Sequence, residues 1–148
     1  GANRSVAYLC EGDPLFYGSA MYLIDRLSGD AEVSVVPGVS SLTASAAAIV
    51  RPLAARNETL KILPAPLADE RLREELAATD AAAIIKVGRH FDRVRAVLTE
   101  TGHLEGAIVI EHATMPAQRI TPLAAFAHDE RPYFSTILCY RGSEAWGE

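Results

Sequence analysis

Four short stretches of the chain carry residue types that can do chemistry. The richest is Glu11-Gly-Asp-Pro-Leu-Phe-Tyr-Gly18. Gly12 lets a ligand approach the backbone, Asp13 can accept hydrogen bonds from an amine or a ribose hydroxyl, and Phe16 and Tyr17 can wall an aromatic base. The same residues also read as a plain Gly-Asp-Pro turn, with Asp13 as a cap ahead of a helix. The second stretch is Pro37-Gly-Val-Ser-Ser41. It runs straight into a helix, whose free N–H groups suit a carboxylate or a phosphate, or simply an N-cap at Ser40. The third, Val87–His90, and the fourth, His112–Gln118, are flanked by Lys86, Arg89 and Arg119. Guanidinium forks pair with carboxylates in two-point contacts, so Arg89 and Arg119 fit a polycarboxylate substrate or, alternatively, solvated surface charge.

Other chemistries lack their residues. No Walker A and no G-x-G-x-x-G is present, which leaves a nucleoside triphosphate or NAD site without support. A serine hydrolase elbow, G-x-S-x-G, is absent too. The four histidines, His90, His103, His112 and His128, show no zinc spacing, and no metal is expected. Met115-Pro116 reads as turn packing. Cys10 and Cys139 lie far apart, as reduced thiols of a cytosolic protein would.

The elements that position these loops alternate. Ser5–Cys10 reads as a strand buried on both faces, and apolar spacing from Ser19 to Leu27 predicts a helix. Glu32–Val36 is a second expected strand, followed by an Ala-rich helix from Ser40 to Ile49 that Arg51-Pro52 ends. After a polar linker at 53–58, strands are expected at 59–63, 81–87, 107–111, 119–121 and 134–140. Helices are expected at 69–78 and from Phe91 to Gly102, with a helical turn at 123–126 and a frayed tail from Gly142. Such alternation predicts an α/β fold with mostly parallel sheets, in which ligands sit beyond the carboxyl ends of the strands. All four stretches come directly after expected strands. No internal repeat appears at a period of roughly 20–50 residues.

At 148 residues, 49% apolar and 22% charged, the chain has material for a core. Its net charge of −5 argues against a general affinity for nucleic acid or anionic membrane. The apolar runs are too short to cross a bilayer as helices, and no secretory leader pattern opens the chain. Gly1-Ala2-Asn3 stands where an initiator methionine would, which fits a cloning scar or a piece of a longer chain. Two expected strands before the linker fall short of an independent parallel sheet, which favours the piece.

Taken in order, EGDPLFYGS at 11–19, VVPGVSSLTAS at 35–45, IIKVG at 84–88 and IEHATMPAQR at 110–119 resemble the tetrapyrrole methyltransferase family. RPLAARNE at 51–58, KVGRHFDRVR at 86–95 and PYFSTIL at 132–138 look most like its precorrin-2 C(20)-methyltransferase branch. The resemblance implies a two-lobed α/β fold with S-adenosyl-L-methionine held between the lobes. It implies methyl transfer to precorrin-2 or cobalt-factor II in cobalamin synthesis, by a cytoplasmic homodimer; the alternatives are another S-adenosylmethionine-dependent methyltransferase of the same fold, or a non-catalytic ligand-binding or interaction fragment. Cofactor contacts would fall on Gly12, Asp13, Phe16, Ser40, Ser41, Val87 and Ala113, and no protein nucleophile is required. The lobes would divide at 57/58, residues 1–57 being the later portion of the first. The family's opening Gly-rich, proline-containing loop has no counterpart in residues 1–10, so the first lobe is expected to be incomplete and the chain alone inactive.

Overall fold

The computed structural model describes residues 5–127 and 133–141. The chain forms two compact units, Gly1–Ser41 and Leu42–Glu148. The expected tail from Gly142 and His128 lie outside the described residues.

In the first unit, α1 (Ala20–Leu27) forms where the apolar spacing places it. It stops at Ser28-Gly29, where Gly29 takes φ +90°, a left-handed conformation that glycine adopts without a Cβ clash. The two strands expected in this unit do not form ladders. Residues 5–10 and 32–36 are not assigned to any sheet, and Val6, Leu9 and Val36 are exposed. A strand needs a hydrogen-bonding neighbour as well as a β-prone sequence, and the described residues supply none.

Helix α2 (Ser41–Ala48) begins directly after Ser40. Its end closes with two reverse bonds, Val50 N–H to Ala47 O at 3.1 Å and Arg51 N–H to Ala46 O at 3.1 Å. That is a Schellman ending, which requires a left-handed residue at Val50, and Val50 has φ +50°. A β-branched residue is strained there. The next segment, read from sequence as a linker, is pinned. The Arg51 guanidinium lies 4.0 Å from the Tyr140 ring centroid, and the Tyr140 hydroxyl donates to Glu58 Oε1 and Oε2 at 2.6 and 2.7 Å.

The second unit is a five-stranded sheet in the order β1-β2-β5-β3-β4. Its strands are β1 (Leu60–Pro64), β2 (Ala81–Ile85), β3 (Ala107–Glu111), β4 (Arg119–Pro122) and β5 (Ser135–Tyr140). Among the described residues, only β1 and β2 pair in parallel; β2–β5, β5–β3 and β3–β4 are antiparallel. The expectation of a mostly parallel sheet is therefore corrected to a mixed one. The helical crossover between β2 and β3 does make them point the same way, but β5 returns into the gap between them. The link 112–118 is too short for a crossover, so β4 has to reverse.

One sheet face presents Leu63, Ala82, Ile84, Ile137, Cys139, Ala107 and Val109 to α3 (Asp69–Ala77) and α4 (Phe91–Glu100). Leu72 and Leu76 come from α3; Phe91, Val94, Val97 and Leu98 come from α4. On the other face, Ile49, Arg51, Pro52 and Leu53 share a small cavity with Leu60, Ile108, Leu138 and Tyr140. Burial pushes the Cys139 thiol up to about 12. No helix among the described residues is long and apolar enough to cross a membrane.

This packing has two measurable outcomes. Val50 is exposed, so Val50→Gly removes left-handed strain with little lost packing and should raise stability by about 1 kcal/mol in denaturant unfolding; a loss would show that the helix ending is not strained. His103 is buried, its Nδ1 lies 2.9 Å from Thr101 Oγ1, and its Nε2 has no partner among the described residues. Burial, then the Arg141 charge, lowers its pKa, so the unfolded chain takes up that proton first. Stability should fall as pH drops below about 6.5, the ordinary histidine value, and His103→Gln should flatten that dependence.

Candidate functional site

Strands β1, β2 and β3 point the same way, so their carboxyl ends share one edge of the sheet. The third and fourth stretches both leave from that edge. Lys86, the residue after β2, has φ +58°; His112, the residue after β3, has φ +49°; Thr114 has φ +66°. Side chains with a Cβ rarely adopt this conformation, and such residues concentrate where a site fixes the backbone. The surrounding bonds hold them. His112 N–H donates to Phe134 O at 2.8 Å, and His90 N–H to Val87 O at 2.7 Å. Loop 112–118 closes on itself through Thr114 N–H to Gln118 Oε1 at 2.7 Å and Met115 N–H to His112 O at 2.9 Å.

Val87 is fully buried in the core, Ala113 is half-buried, and Arg89 is exposed with Nε 3.4 Å from His90 Nε2. Arg119 is engaged. Its Nε and Nη2 each donate to Glu111 at 3.1 Å, a two-point pair across the β3–β4 ladder. Glu111 is fully buried and the Arg119 side chain is 47% exposed. Sequence reasoning passed over Glu111, although a carboxylate closing the apolar run Ala107–Ile110 was a signal that something must pair with it.

The first two stretches meet within the first unit. Asp13 Oδ1 accepts from Leu15 N–H and Oδ2 from Gly38 N–H, both at 2.9 Å. Phe16 N–H closes the turn onto Asp13 O at 3.2 Å, and the Phe16 ring meets Tyr17 edge-on with centroids 5.1 Å apart. Gly12 has φ +80°, and a Cβ there would find only Val39 O within contact, at 3.7 Å. The backbone at Gly12 is thus open to a ligand. Ser40 is half-buried and Ser41 exposed at the start of α2. Two loops that are separate in sequence are therefore tied together through Asp13.

The opposite, amino-terminal edge holds a separate polar group. Thr59 donates to Asp80 Oδ2 from its N–H at 2.8 Å and its hydroxyl at 2.9 Å, which lowers the Asp80 pKa. Among the described residues, no three His, Cys, Asp or Glu side chains gather as a metal site would need.

Removing one member of the edge pair should be costly. Arg119→Ala leaves the buried Glu111 without its fork and should lower stability by about 3 kcal/mol in chemical unfolding, the low end for a broken buried pair because Arg119 is half exposed. Arg89→Ala should change stability by less than about 0.5 kcal/mol, as exposed sites do. Equal effects would mean that the Glu111 pair does not hold the edge.

The model of the tetrapyrrole (corrin/porphyrin) methylases matches residues 1–127. The precorrin-2 C(20)-methyltransferase of Sinorhizobium sp is 42% identical over 137 residues, covering 93% of this chain and 56% of that protein. The cobalt-precorrin-2 C(20)-methyltransferase of Salmonella typhimurium is 30% identical over 139 residues, covering 93% of this chain and 59% of that protein. The chain thus spans little more than half the length of these relatives. The crystal structure of the methyltransferase CobJ superposes with a TM-score of 0.71 at 21% identity, over 92% of this chain and 64% of that one. That of uroporphyrin-III C-methyltransferase from Thermus thermophilus, complexed with S-adenosyl homocysteine, gives 0.63 at 24% identity, over 86% and 62%. With the family model covering most of the chain and the fold shared, the chain belongs to the tetrapyrrole (corrin/porphyrin) methylases.

Proposed function

We propose that this chain serves S-adenosylmethionine-dependent methylation at C-20 of precorrin-2 or its cobalt form, in cobalamin synthesis. The observation that carries the reading is the 42% identity over 137 residues to a precorrin-2 C(20)-methyltransferase. S-adenosylmethionine supplies a methyl group on a positively charged sulfonium. The open backbone at Gly12 suits close approach by such a ligand, and Asp13, Phe16, Ser40 and Ser41 surround that turn in sequence and in the two joined loops. Val87 and Ala113 are the second domain's contributions in this reading, which takes residues 1–57 as part of the first domain and 58–148 as the second.

Arg89 and the exposed part of Arg119 gather the substrate's carboxylates. Glu111 holds the Arg119 fork in one orientation, so less side-chain freedom is lost when a carboxylate arrives. The substrate carbon is itself electron-rich, so the residues act by orientation, which supplies roughly 7–11 kcal/mol when two reactants are held in attack geometry. The enzyme works in the cytoplasm as a homodimer.

Calorimetry on the protein encoded by the full reading frame tests the cofactor assignment. S-adenosylmethionine should bind, and Gly12→Val should weaken it by roughly tenfold or more, because a branched side chain closes the open backbone at a left-handed position. Unchanged affinity in the variant would overturn the assignment. Turnover assays with precorrin-2 and cobalt-factor II then decide which substrate is used, and turnover of neither would overturn the reaction.

A further inference from the structure

We infer that Asp13 and Gly38 together form a positioning clamp that holds the Glu11–Gly18 and Pro37–Ser41 loops as one rigid ligand-binding surface, Asp13 acting through the backbone rather than on the ligand. The inference rests on the S-adenosylmethionine reading above and assigns Asp13 a different task within it.

Two independent observations carry it. The first is where the Asp13 carboxylate is directed. One oxygen accepts from Leu15 N–H, inside its own loop, and the other accepts from Gly38 N–H, twenty-five residues away in the second loop. A charged acceptor on two backbone donors fixes both loops more firmly than neutral bonds would. The second observation is steric. A Cβ on Gly38 would lie 2.3 Å from Gly12 O, 2.9 Å from Gly12 C and 3.2 Å from Asp13 Cα. All three are backbone atoms, so no rotamer change can relieve the clash. Gly38 has no left-handed φ to explain a glycine there. Its requirement is the closeness of the two chains.

The consequence concerns the ligand surface. Gly12, whose open backbone is the point of ligand approach, is the residue that Gly38 packs against. Any change that separates the loops displaces the Gly12 carbonyl and the Ser40–Ser41 segment together. A side chain that merely touched the ligand would lose only its own contact when removed, and the loop amides would keep their exchange rates.

The test uses the full reading frame and four variants: Asp13→Ala, Asp13→Asn, Gly38→Ala and the double change Asp13→Ala with Gly38→Ala. Amide hydrogen exchange at Leu15 and Gly38 reads the clamp without ligand, and exchange at Ile84 and Ile137 reads the integrity of the sheet. Calorimetry reads the dissociation constants of S-adenosylmethionine and S-adenosylhomocysteine. Each of Asp13→Ala and Gly38→Ala should speed exchange of the loop amides and weaken both ligands by roughly 10–100-fold, the scale of losing charge-assisted hydrogen bonds. The sheet amides should stay protected. Asp13→Asn keeps one acceptor oxygen and should fall between Asp13→Ala and the unchanged protein. The double variant should be no weaker than the worse single one, because either change alone opens the clamp. Where turnover is measured, KM for S-adenosylmethionine should rise while KM for the tetrapyrrole holds.

Gly38→Ala with unchanged ligand affinity and unchanged loop exchange would overturn the proposal. So would losses at the two positions that multiply in the double variant. If the unchanged protein binds neither ligand, the functional reading falls, and the loop exchange rates alone decide for or against the clamp.

Discussion

Strand β5 is hydrogen-bonded along both edges, to β2 on one side and to β3 on the other. Without it, the second unit would be two separate pairs, β1–β2 and β3–β4, and a two-stranded sheet is at best marginal in water. With it, Ile137 and Cys139 bring Ile84, Ala82, Val109 and Ala107 into one apolar face that α3 and α4 cover. The α4 crossover gives β2 and β3 one direction, and this shared face holds them in place, so loops 86–90 and 112–118 leave from the same edge. Both β2 and β3 are paired along both of their edges, so the loops leave from strands that are held on both sides.

Charge and strain are placed on this frame where they can be held. Glu111 ends β3 on the helix-covered face and is buried, which is tolerable because Arg119 reaches it across the neighbouring strand with both nitrogens of its fork. Lys86 and His112 take left-handed conformations in the first residue after their strands, where the ladder already determines the chain's exit. At Val50 the same kind of strain ends a helix instead, and the adjoining Arg51–Tyr140–Glu58 contacts tie that turn's continuation to the sheet. Left-handed residues thus occur at the sheet edge, at a helix ending and, as Tyr17 and Arg56, within loops, and position alone does not make one functional.

Much of this was legible in the chain. The strand at 107–111 and helices near 69–77 and 91–100 lie where period and punctuation put them, because local pattern and burial agree there. Loops 86–90 and 112–118 leave from strand ends, as the alternation implies. Sheet direction was not legible from alternation alone. It depended on β5 entering between β2 and β3, a long-range pairing that no local pattern encodes, although the short link 112–118 did forbid a parallel β4. The runs at 5–10 and 32–36 show the converse case, where a strand-like composition found no ladder among the described residues. Within the site, Gly12 and Asp13 were visible as types, but the carboxylate's partners were not. Gly38 reads from sequence as one more turn glycine, and its reason appears only when the Gly12 carbonyl is found where its side chain would be.

The most direct measurement is a residue-resolved map of where the methyl donor's product binds. S-adenosylhomocysteine can be titrated into the isotope-labelled protein of the full reading frame while amide chemical shifts are monitored. The largest shifts are expected in Gly12, Asp13, Phe16 and Gly38–Ser41, with smaller ones at Val87 and Ala113. Shifts confined to the amino-terminal edge around Thr59, Asp80 and Arg141, with the two loops unmoved at saturation, would contradict it.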